Sequence, residues 1–337
     1  MESIYPYRIA WRRPPDVNVG HSSRSAVLDA MEYGFPTSKA RIAALSGLGA
    51  TTVRRACRQL TREKVLALKY GPDPDTGIAS DLITVVRYPV LPVMEIAEAY
   101  MVWRLSDTRG ESVFATVRDR GGFCSPADDL AILLGQVSAI LRAGTCGLPA
   151  EMPLQPPVLL LPSRGSELLD LVRRETETEP AFVITPEEAA ALELRYHPAT
   201  QNAASILYIR SGEVRSVSLL QRMHLEDPRS AFYPTPFTAG LEQSLREYTR
   251  GIRPHTGAWW QRAAGFLSEC VRFLSPDCVV VETDRPGSDP KALRKVLPPS
   301  IPLLHLPYAL NTPSLAHRGA MRLSRRVLWD SMESEKP

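Results

Sequence analysis

The sequence has 337 residues, of which 44% are hydrophobic and 23% charged, a composition typical of globular proteins rather than disordered or collagenous ones. The formal net charge is only +3, and no apolar stretch approaches the roughly 18–20 residues that a membrane helix needs. The N-terminal residues contain no apolar core of a secretory signal, so a membrane or exported protein is not expected. The length favours two or three domains.

The cysteines and histidines give no pattern of a metal site or a disulfide framework. The five cysteines are odd in number and contain no CxxC pair, which excludes a zinc ribbon and argues against paired disulfides. The six histidines show no ligand spacing such as HExxH. We therefore expect a cytoplasmic protein with reduced thiols, without a metal or a cofactor.

The basic residues are concentrated near the N-terminus. The first 90 residues carry 13 basic and 8 acidic residues, whereas the other 247 carry 27 and 29. Residues 37–70 contain eight basic residues and a single acid, Glu63. Such an excess repels itself, so an anionic partner is one explanation and a solvated surface is the other. Residues 1–23 are expected to form an arm that either contacts phosphate through Arg12 and Arg13 or remains disordered.

Residues 24–88 have the pattern of a winged helix-turn-helix. The pattern predicts a first helix with an apolar stripe, a short second helix capped by Thr37 or Ser38, and a glycine-containing turn at residues 46–49. A third helix is predicted over residues 50–64. Two strands are predicted at residues 65–70 and 82–87. The turn between them, at residues 71–77, is rich in proline, aspartate and glycine.

The third helix has an apolar face and a basic face. Its apolar residues follow the i, i+3, i+4, i+7 spacing of a buried stripe: Val53, Ala56, Cys57 and Leu60. The residues opposite this stripe occupy the position from which a recognition helix contacts base edges, and arginine suits both guanine and phosphate. Including the second helix and the wing, the predicted DNA-binding residues are Thr51, Thr52, Arg54, Arg55, Arg58, Lys39, Lys69 and Tyr70. The alternative is a winged helix used for protein contacts.

A stiff linker is predicted at residues 89–92, because the two prolines of YPVLP resist helix and central strand. Beyond it, residues 93–330 alternate strand-like and helix-like segments, which is typical of an α/β sheet. The predicted strands are 93–96, 101–105, 112–117, 158–161, 181–185, 206–210, 214–220, 278–282 and 303–306. The predicted helices are 128–143, 167–175, 187–196, 241–249, 259–274 and a final one striped by Ala316, Ala320, Leu323 and Val327. A polar tail is expected at residues 331–337.

Three strings beyond the linker resemble the ROK family of repressors, open reading frames and sugar kinases. They are PAFVITPEEAAALELRYHPATQNAASILYIRSGEV, SECVRFLSPDCVVVETD and LAHRGAMRLSRRVL. The resemblance lies in hydrophobic pattern and element order and spans nearly the whole chain. It implies an α/β (α+β overall) protein, in which a winged helix-turn-helix precedes a two-lobed actin-like (ribonuclease H-like) domain. That domain would serve dimerisation and could sense an effector.

The resemblance also implies where catalytic groups would lie, and the sequence departs from the family at each place. The family's first phosphate loop has an aspartate and paired glycines, but residues 93–100 read VMEIAEAY, with Glu95 at the acid position. The family's catalytic aspartate is replaced by Pro186, which cannot accept a proton. The second phosphate loop would be GEVRS, residues 212–216, which lacks most of the family's glycines. Of the family's zinc site only His224 has a counterpart.

The sequence therefore predicts a dimeric, cytoplasmic transcriptional regulator whose kinase-like domain is a pseudokinase, and not an enzyme. Its expected partners are double-stranded DNA, a second copy of the chain and a small-molecule effector of unknown identity. Two alternatives from other classes stay open. One is a sugar or small-molecule kinase, and the other is a non-catalytic interaction protein without a DNA target.

Overall fold

The computed structural model divides the chain into two compact units. The first combines residues 1–96, 101–184 and 320–337, and the second combines residues 97–100 and 185–319. The residues that the structure describes are 23–31, 36–73, 76–86, 91–97, 100–107, 110, 112–119, 125–142, 157–161, 166–176, 180–211, 215–223, 232–235, 238–252, 256–283, 290–308 and 313–334. The predicted arm therefore lies outside the described residues, apart from Ser23, which begins the first helix.

The first unit begins with helices and a small antiparallel sheet. Its elements are α1 (Ser23–Ala30), β1 (Thr37–Ser38), α2 (Lys39–Ser46), α3 (Ala50–Arg62), β2 (Leu66–Pro72) and β3 (Ala79–Val85). In the sheet, β3 lies between β1 and β2. Thr37 faces Ile83 across the first pair, and Leu66 faces Val85 across the second. Apart from β1, the elements follow the order that the sequence predicts.

Local chemistry sets the ends of α2. The Ser38 side chain accepts a hydrogen bond from the Arg41 backbone N–H at 3.3 Å, which is the predicted N-cap. Gly47 ends the helix with φ of 71°, a left-handed conformation in which a side chain would be strained. The turn aligns α2 and α3 over one apolar core, in which Val27, Ile42 and Val53 are each fully buried.

The β2–β3 hairpin is longer than predicted. Residues 71 and 72 were expected in the turn but continue β2, and β3 begins at Ala79 rather than at residue 82. The ladder reaches the turn because Pro72 pairs with Ala79 and the Asp73 N–H donates to the Ile78 oxygen at 2.9 Å. Glycine and proline, which are common in turns, can thus form the last residues of a strand.

The rest of the first unit is built on a second sheet. Its elements are β4 (Leu91–Ile96), β5 (Tyr100–Ser106), β6 (Ser112–Asp119), α4 (Pro126–Arg142), β7 (Val158–Leu160), α5 (Ser166–Thr176) and β8 (Phe182–Ile184). Among the described strands the order is β6-β5-β4-β7-β8, with β4 antiparallel to β5 and parallel to β7. The side chains of Met94, Trp103 and Leu159 form one buried cluster with Leu133 of α4 and Val172 of α5.

The predicted linker at residues 89–92 is wrong for its second half. Leu91 and Pro92 belong to β4 and lie opposite Ser106 and Leu105 of β5. Pairing with β7 begins only at Val93, so the missing N–H of the proline falls at the start of the strand, where it is tolerated. Residues 89 and 90 lie outside the described residues.

The second unit contains a mixed sheet with helices on both faces. Its elements are α6 (Pro186–Leu194), a short 3₁₀ helix (Pro198–Thr200), β9 (Ser205–Ser211), β10 (Arg215–Arg222), β11 (Phe232–Pro234), α7 (Thr238–Tyr248), α8 (Gly257–Leu274), β12 (Cys278–Thr283), α9 (Lys291–Val296) and β13 (Leu303–Pro307). The described strands follow the order β11-β10-β9-β12-β13, with β9, β12 and β13 parallel. Leu207 and Val279 face α7 to α9, whereas Ile206 and Val280 face α6.

The final helix, α10 (Leu315–Ser334), corrects the predicted tail. Residues 331–334 are helical and continue α10, whereas the polar composition of this segment predicted a tail. Early in this helix, a Cβ on Gly319 would lie 1.8 Å from the Ala189 backbone oxygen of α6. The predicted α/β class is confirmed, with mixed strand orientation in the sheets built from β4 to β13.

Candidate nucleic-acid interface

Helix α3 divides into a buried stripe and an exposed face, as predicted. Its buried residues are Val53, Ala56, Cys57 and Leu60, none more than 3% exposed. The five predicted contact residues of this helix are all exposed: Thr51, Thr52, Arg54, Arg55 and Arg58. The sequence produces this division because residues three and four apart fall on the same side of a helix.

A surface groove of about 510 Å³ runs along the exposed face of α3. Its lining residues are Thr51, Arg54, Arg55, Arg58, Gln59 and Arg62. Four of them were predicted, whereas Gln59 and Arg62 were not. The position of Arg62 could have been predicted from the sequence, because residues 51, 55, 58 and 62 follow the spacing of one helix face. The face therefore extends over all three turns of the helix.

The single acid of the basic segment is paired. Glu63, the residue after α3, forms an ion pair with Arg24 of α1. The Gln59 side-chain amide also donates to Glu63, at 3.3 Å. Because Arg24 matches the charge of Glu63, the carboxylate offsets little of the positive potential of the α3 face. No local sequence pattern could find this pair, since its members are 39 residues apart.

Lys39 does not join the exposed face of α3. It is half-buried in the first turn of α2 and is not among the described residues that line the groove. Burial raises the pKa of the Cys57 thiol, and the charge of Lys39 opposes that shift.

Lys69 and Tyr70 are exposed on β2, but the structure does not bring them together. As neighbours in a strand they point to opposite faces of the sheet. Tyr70 is 74% exposed and lies on the same face as Leu68, which is 57% exposed. The wing thus presents Tyr70 and Leu68 on one face of the hairpin and Lys69 on the other.

The sequence places the family's first phosphate loop at residues 93–100. Residues 93–96 lie in β4, and the Ala97 N–H donates to the Tyr100 oxygen at 2.8 Å, whereas residues 98 and 99 lie outside the described residues. Glu95 is 1% exposed. Burial lowers the pKa of Arg104 to about 10, and the negative charge of Glu95 opposes that shift. Glu95 thus serves as a buried counter-charge inside the sheet.

Pro186 begins α6 within a capping box. The Thr185 hydroxyl accepts from the Glu188 N–H at 3.2 Å, and the Glu188 carboxylate accepts from the Thr185 N–H at 2.8 Å. Proline suits the first helical position because it has no N–H to leave unpaired. The string TPEE is therefore used to start a helix.

The other family positions lie partly outside the described residues. Of the second loop, Arg215 and Ser216 belong to β10, and residues 212–214 are not described. His224 is also outside. Within the described ranges, no group of three or more histidine, cysteine, aspartate or glutamate side chains could hold a metal ion. Among the same residues, no helix combines the length and hydropathy of a membrane span.

Comparison with known proteins gives a match at the level of structure. No protein-family model matches the sequence, and no curated protein matches it significantly. A crystal structure of a ROK family transcriptional regulator, a homologue of the E. coli MLC protein, aligns with a TM-score of 0.53 and 11% identity. The alignment covers 92% of this chain and 98% of that one. The chain shares the fold of this regulator. The resemblance to the ROK family seen in the sequence is thus confirmed for the fold.

Sugar kinases are also among the structural neighbours. An inorganic polyphosphate/ATP-glucomannokinase from Arthrobacter aligns over 72% of this chain and 99% of its own, with 15% identity and a TM-score of 0.42. A ROK family glucokinase from Streptomyces griseus covers 71% of this chain and 98% of its own, with 12% identity and a TM-score of 0.41. One of these neighbours is thus described as a transcriptional regulator and the other two as sugar kinases.

Proposed function

We propose that this protein is a ROK family transcriptional regulator that binds double-stranded DNA through α3 and acts as a dimer. The observation that carries the proposal is the two-sided character of α3. One side is an apolar stripe buried in a core of helices and hairpin, and the other is an exposed face with four arginines, Arg54, Arg55, Arg58 and Arg62. A helix held in this way can enter a major groove without disturbing its own packing.

The order of elements in residues 23–86 supports this interpretation. Three helices followed by a hairpin, with α3 preceded by a glycine turn, is the arrangement of a winged helix-turn-helix. The neighbour that covers 92% of this chain is described as a transcriptional regulator, which adds support from a protein of similar fold. In a symmetric dimer, two copies of α3 would engage half-sites about 34 Å apart or a multiple of that distance.

The kinase-like part of the chain is proposed to be a catalytically inactive dimerisation and sensing domain. Pro186 offers no proton acceptor where the family has its catalytic base, and Glu95 is buried within β4. Phosphoryl transfer depends on a base, phosphate-binding loops and metal held together, so loss of several groups removes the reaction. A ligand of this domain would act by binding two conformations with different affinity.

The function is tested by capture of genomic DNA. The tagged full-length chain is mixed with sheared genomic fragments and excess competitor DNA, and the retained fragments are sequenced. We expect a small set of fragments upstream of genes. The matched control is the variant Arg54→Ala, Arg55→Ala, Arg58→Ala, whose substitutions lie on the exposed face. Equal retention of all fragments by both proteins, or no retention by the folded wild type, would overturn the proposal.

A further inference from the structure

We infer that Arg55 and Arg58 read guanines, so that each half-site bound by α3 contains two neighbouring G·C pairs in its major groove. This inference rests on the proposed DNA-binding function and adds the kind of sequence that the site would recognise. The observations that carry it are the angular positions of the exposed side chains on α3 and the lack of adenine-reading or cytosine-reading side chains at residues 50–58.

The two arginines lie at the centre of the exposed face. Successive residues of a helix are about 100° apart around its axis. On this basis the middle of the exposed face, directly opposite the four buried residues of α3, lies at Thr51. Arg58 falls about 20° to one side of Thr51 and Arg55 about 40° to the other. Arg54 lies about 60° from Thr51, at the edge of the exposed face. From this position it would point toward the phosphates that border the DNA major groove.

The spacing of the two arginines along the helix suits consecutive base pairs. They are three residues apart, which corresponds to about 4.5 Å along the helix axis. Stacked base pairs are about 3.4 Å apart, and the long arginine side chain covers the difference. Both lie in the second and third turns of α3, in the middle of the helix. Arg62, about 16 Å from Thr51 along the axis, lies at the far end and suits the backbone.

The chemistry of the face favours guanine over the other bases. Arginine binds the O6 and N7 acceptors of guanine with two hydrogen bonds, whereas adenine is read by Asn or Gln and cytosine by Asp or Glu. Residues 50–58 of α3 contain none of these four residue types. Gln59 lies about 80° from the centre of the face, and its amide donates to Glu63. Glu63 in turn is paired with Arg24, away from the arginines at the centre.

The experiment replaces single atoms of the DNA. From the captured fragments, or from randomised DNA, the bound half-site is defined, and each guanine in it is replaced in turn by 7-deazaguanine or by inosine. The first lacks the N7 acceptor of the major groove, and the second keeps N7 and O6 but lacks the minor-groove amine. We expect 7-deazaguanine at two adjacent positions to weaken binding at least about fivefold and inosine to change it little.

Variants assign the two guanines to residues. Arg55→Ala and Arg58→Ala remove the donors to O6 and N7, so each should lose most of the discrimination between guanine and adenine at one position. Arg250→Ala, an exposed substitution in the second unit, is the matched control and should keep the sequence preference. If DNA is bound but the half-site has no guanine sensitive to 7-deazaguanine, this inference is wrong while the proposed function stands. If no DNA is bound, the proposed function itself fails.

Discussion

The guanidinium of Arg325 donates a hydrogen bond to the backbone oxygen of Met31, at 3.5 Å, although 294 residues separate them in the sequence. Arg325 is 2% exposed and belongs to α10, and Met31 directly follows α1. A cation at the end of a helix satisfies its terminal carbonyl groups and complements its dipole. The last helix of the chain therefore stabilises the first helix of the proposed DNA-binding region.

We predict that Arg325→Ala lowers the free energy of unfolding by about 1.5–3 kcal/mol, because a buried hydrogen bond from a charged donor is lost. Thermal denaturation of the full chain measures the change. Arg272→Ala, which removes an exposed arginine paired with Glu269 on α8, is the control and should cost less than about 1 kcal/mol. Equal unfolding temperatures for Arg325→Ala and the wild type would contradict the role given to this contact.

Two glycine substitutions within helices should change stability in opposite directions. In Gly319→Ala the new methyl group would meet the Ala189 backbone oxygen at 1.8 Å, so α6 or α10 must shift, at a cost of about 1–3 kcal/mol or more. In Gly135→Ala, within α4, nothing lies within 4 Å of the new methyl group. Alanine is the better helix former there, and we expect a gain of up to about 1 kcal/mol. Denaturant titration of both variants measures the difference, and equal effects would show that α6 and α10 do not pack as described.

The sequence predicted the elements with strong hydrophobic periodicity. The stripe of α3 and the strand from Cys278 were found because burial imposes a regular spacing on their side chains. The two-residue β1, the three-residue β11 and the short α9 were missed, since elements of this length have no period and depend on their neighbours. The Arg24–Glu63 pair joins residues distant in sequence, and only the fold brings them together.

The positions of the predicted contact residues could be anticipated only in part, for similar reasons. The arginines of α3 follow from helix geometry, so their common exposed face could be anticipated. Lys39 was assigned from charge alone, and charge does not specify which side of α2 meets α3. Lys69 and Tyr70 were grouped by adjacency, whereas the alternation of a strand separates them.

Stability should depend on pH through Glu242 of α7. Burial raises the pKa of this carboxyl group from 4.5 to about 7, and repulsion by Glu187 adds to the shift. The folded protein therefore binds the proton more tightly than the unfolded chain does. The associated stability is fully present below about pH 4.5 and is lost as the pH rises through about 7.

We predict that Glu242→Gln raises the unfolding temperature at pH 8 and leaves it unchanged at pH 4, because the neutral amide avoids the buried charge. Thermal unfolding across this pH range measures the effect. Glu247→Gln, exposed on the same helix, is the control and should resemble the wild type. A larger gain at pH 4 than at pH 8 would reverse the sign and contradict the assignment.

We predict that the purified protein shows no sugar-dependent ATP hydrolysis. Pro186→Asp alone should not create activity, because Glu95 remains buried in β4 and the string VMEIAEAY supplies no glycine for close approach to a phosphate. Coupled assays with a panel of sugars, together with calorimetry against ATP, measure this. Turnover above that of a boiled sample would overturn the pseudokinase interpretation and favour the kinase alternative.

The central claim, that the exposed arginines of α3 bind DNA, is tested most directly by affinity measurements on one captured fragment over a range of salt concentrations. We predict a steep fall in affinity with salt, with a log–log slope of about −0.9 for each phosphate neutralised. Arg55→Ala and Arg58→Ala should each weaken binding by about 1–3 kcal/mol, and Arg54→Ala should reduce the slope by about 1. Arg250→Ala, an exposed substitution in the second unit, should bind as the wild type does. Unchanged affinity and salt slope in all three α3 variants would contradict the claim.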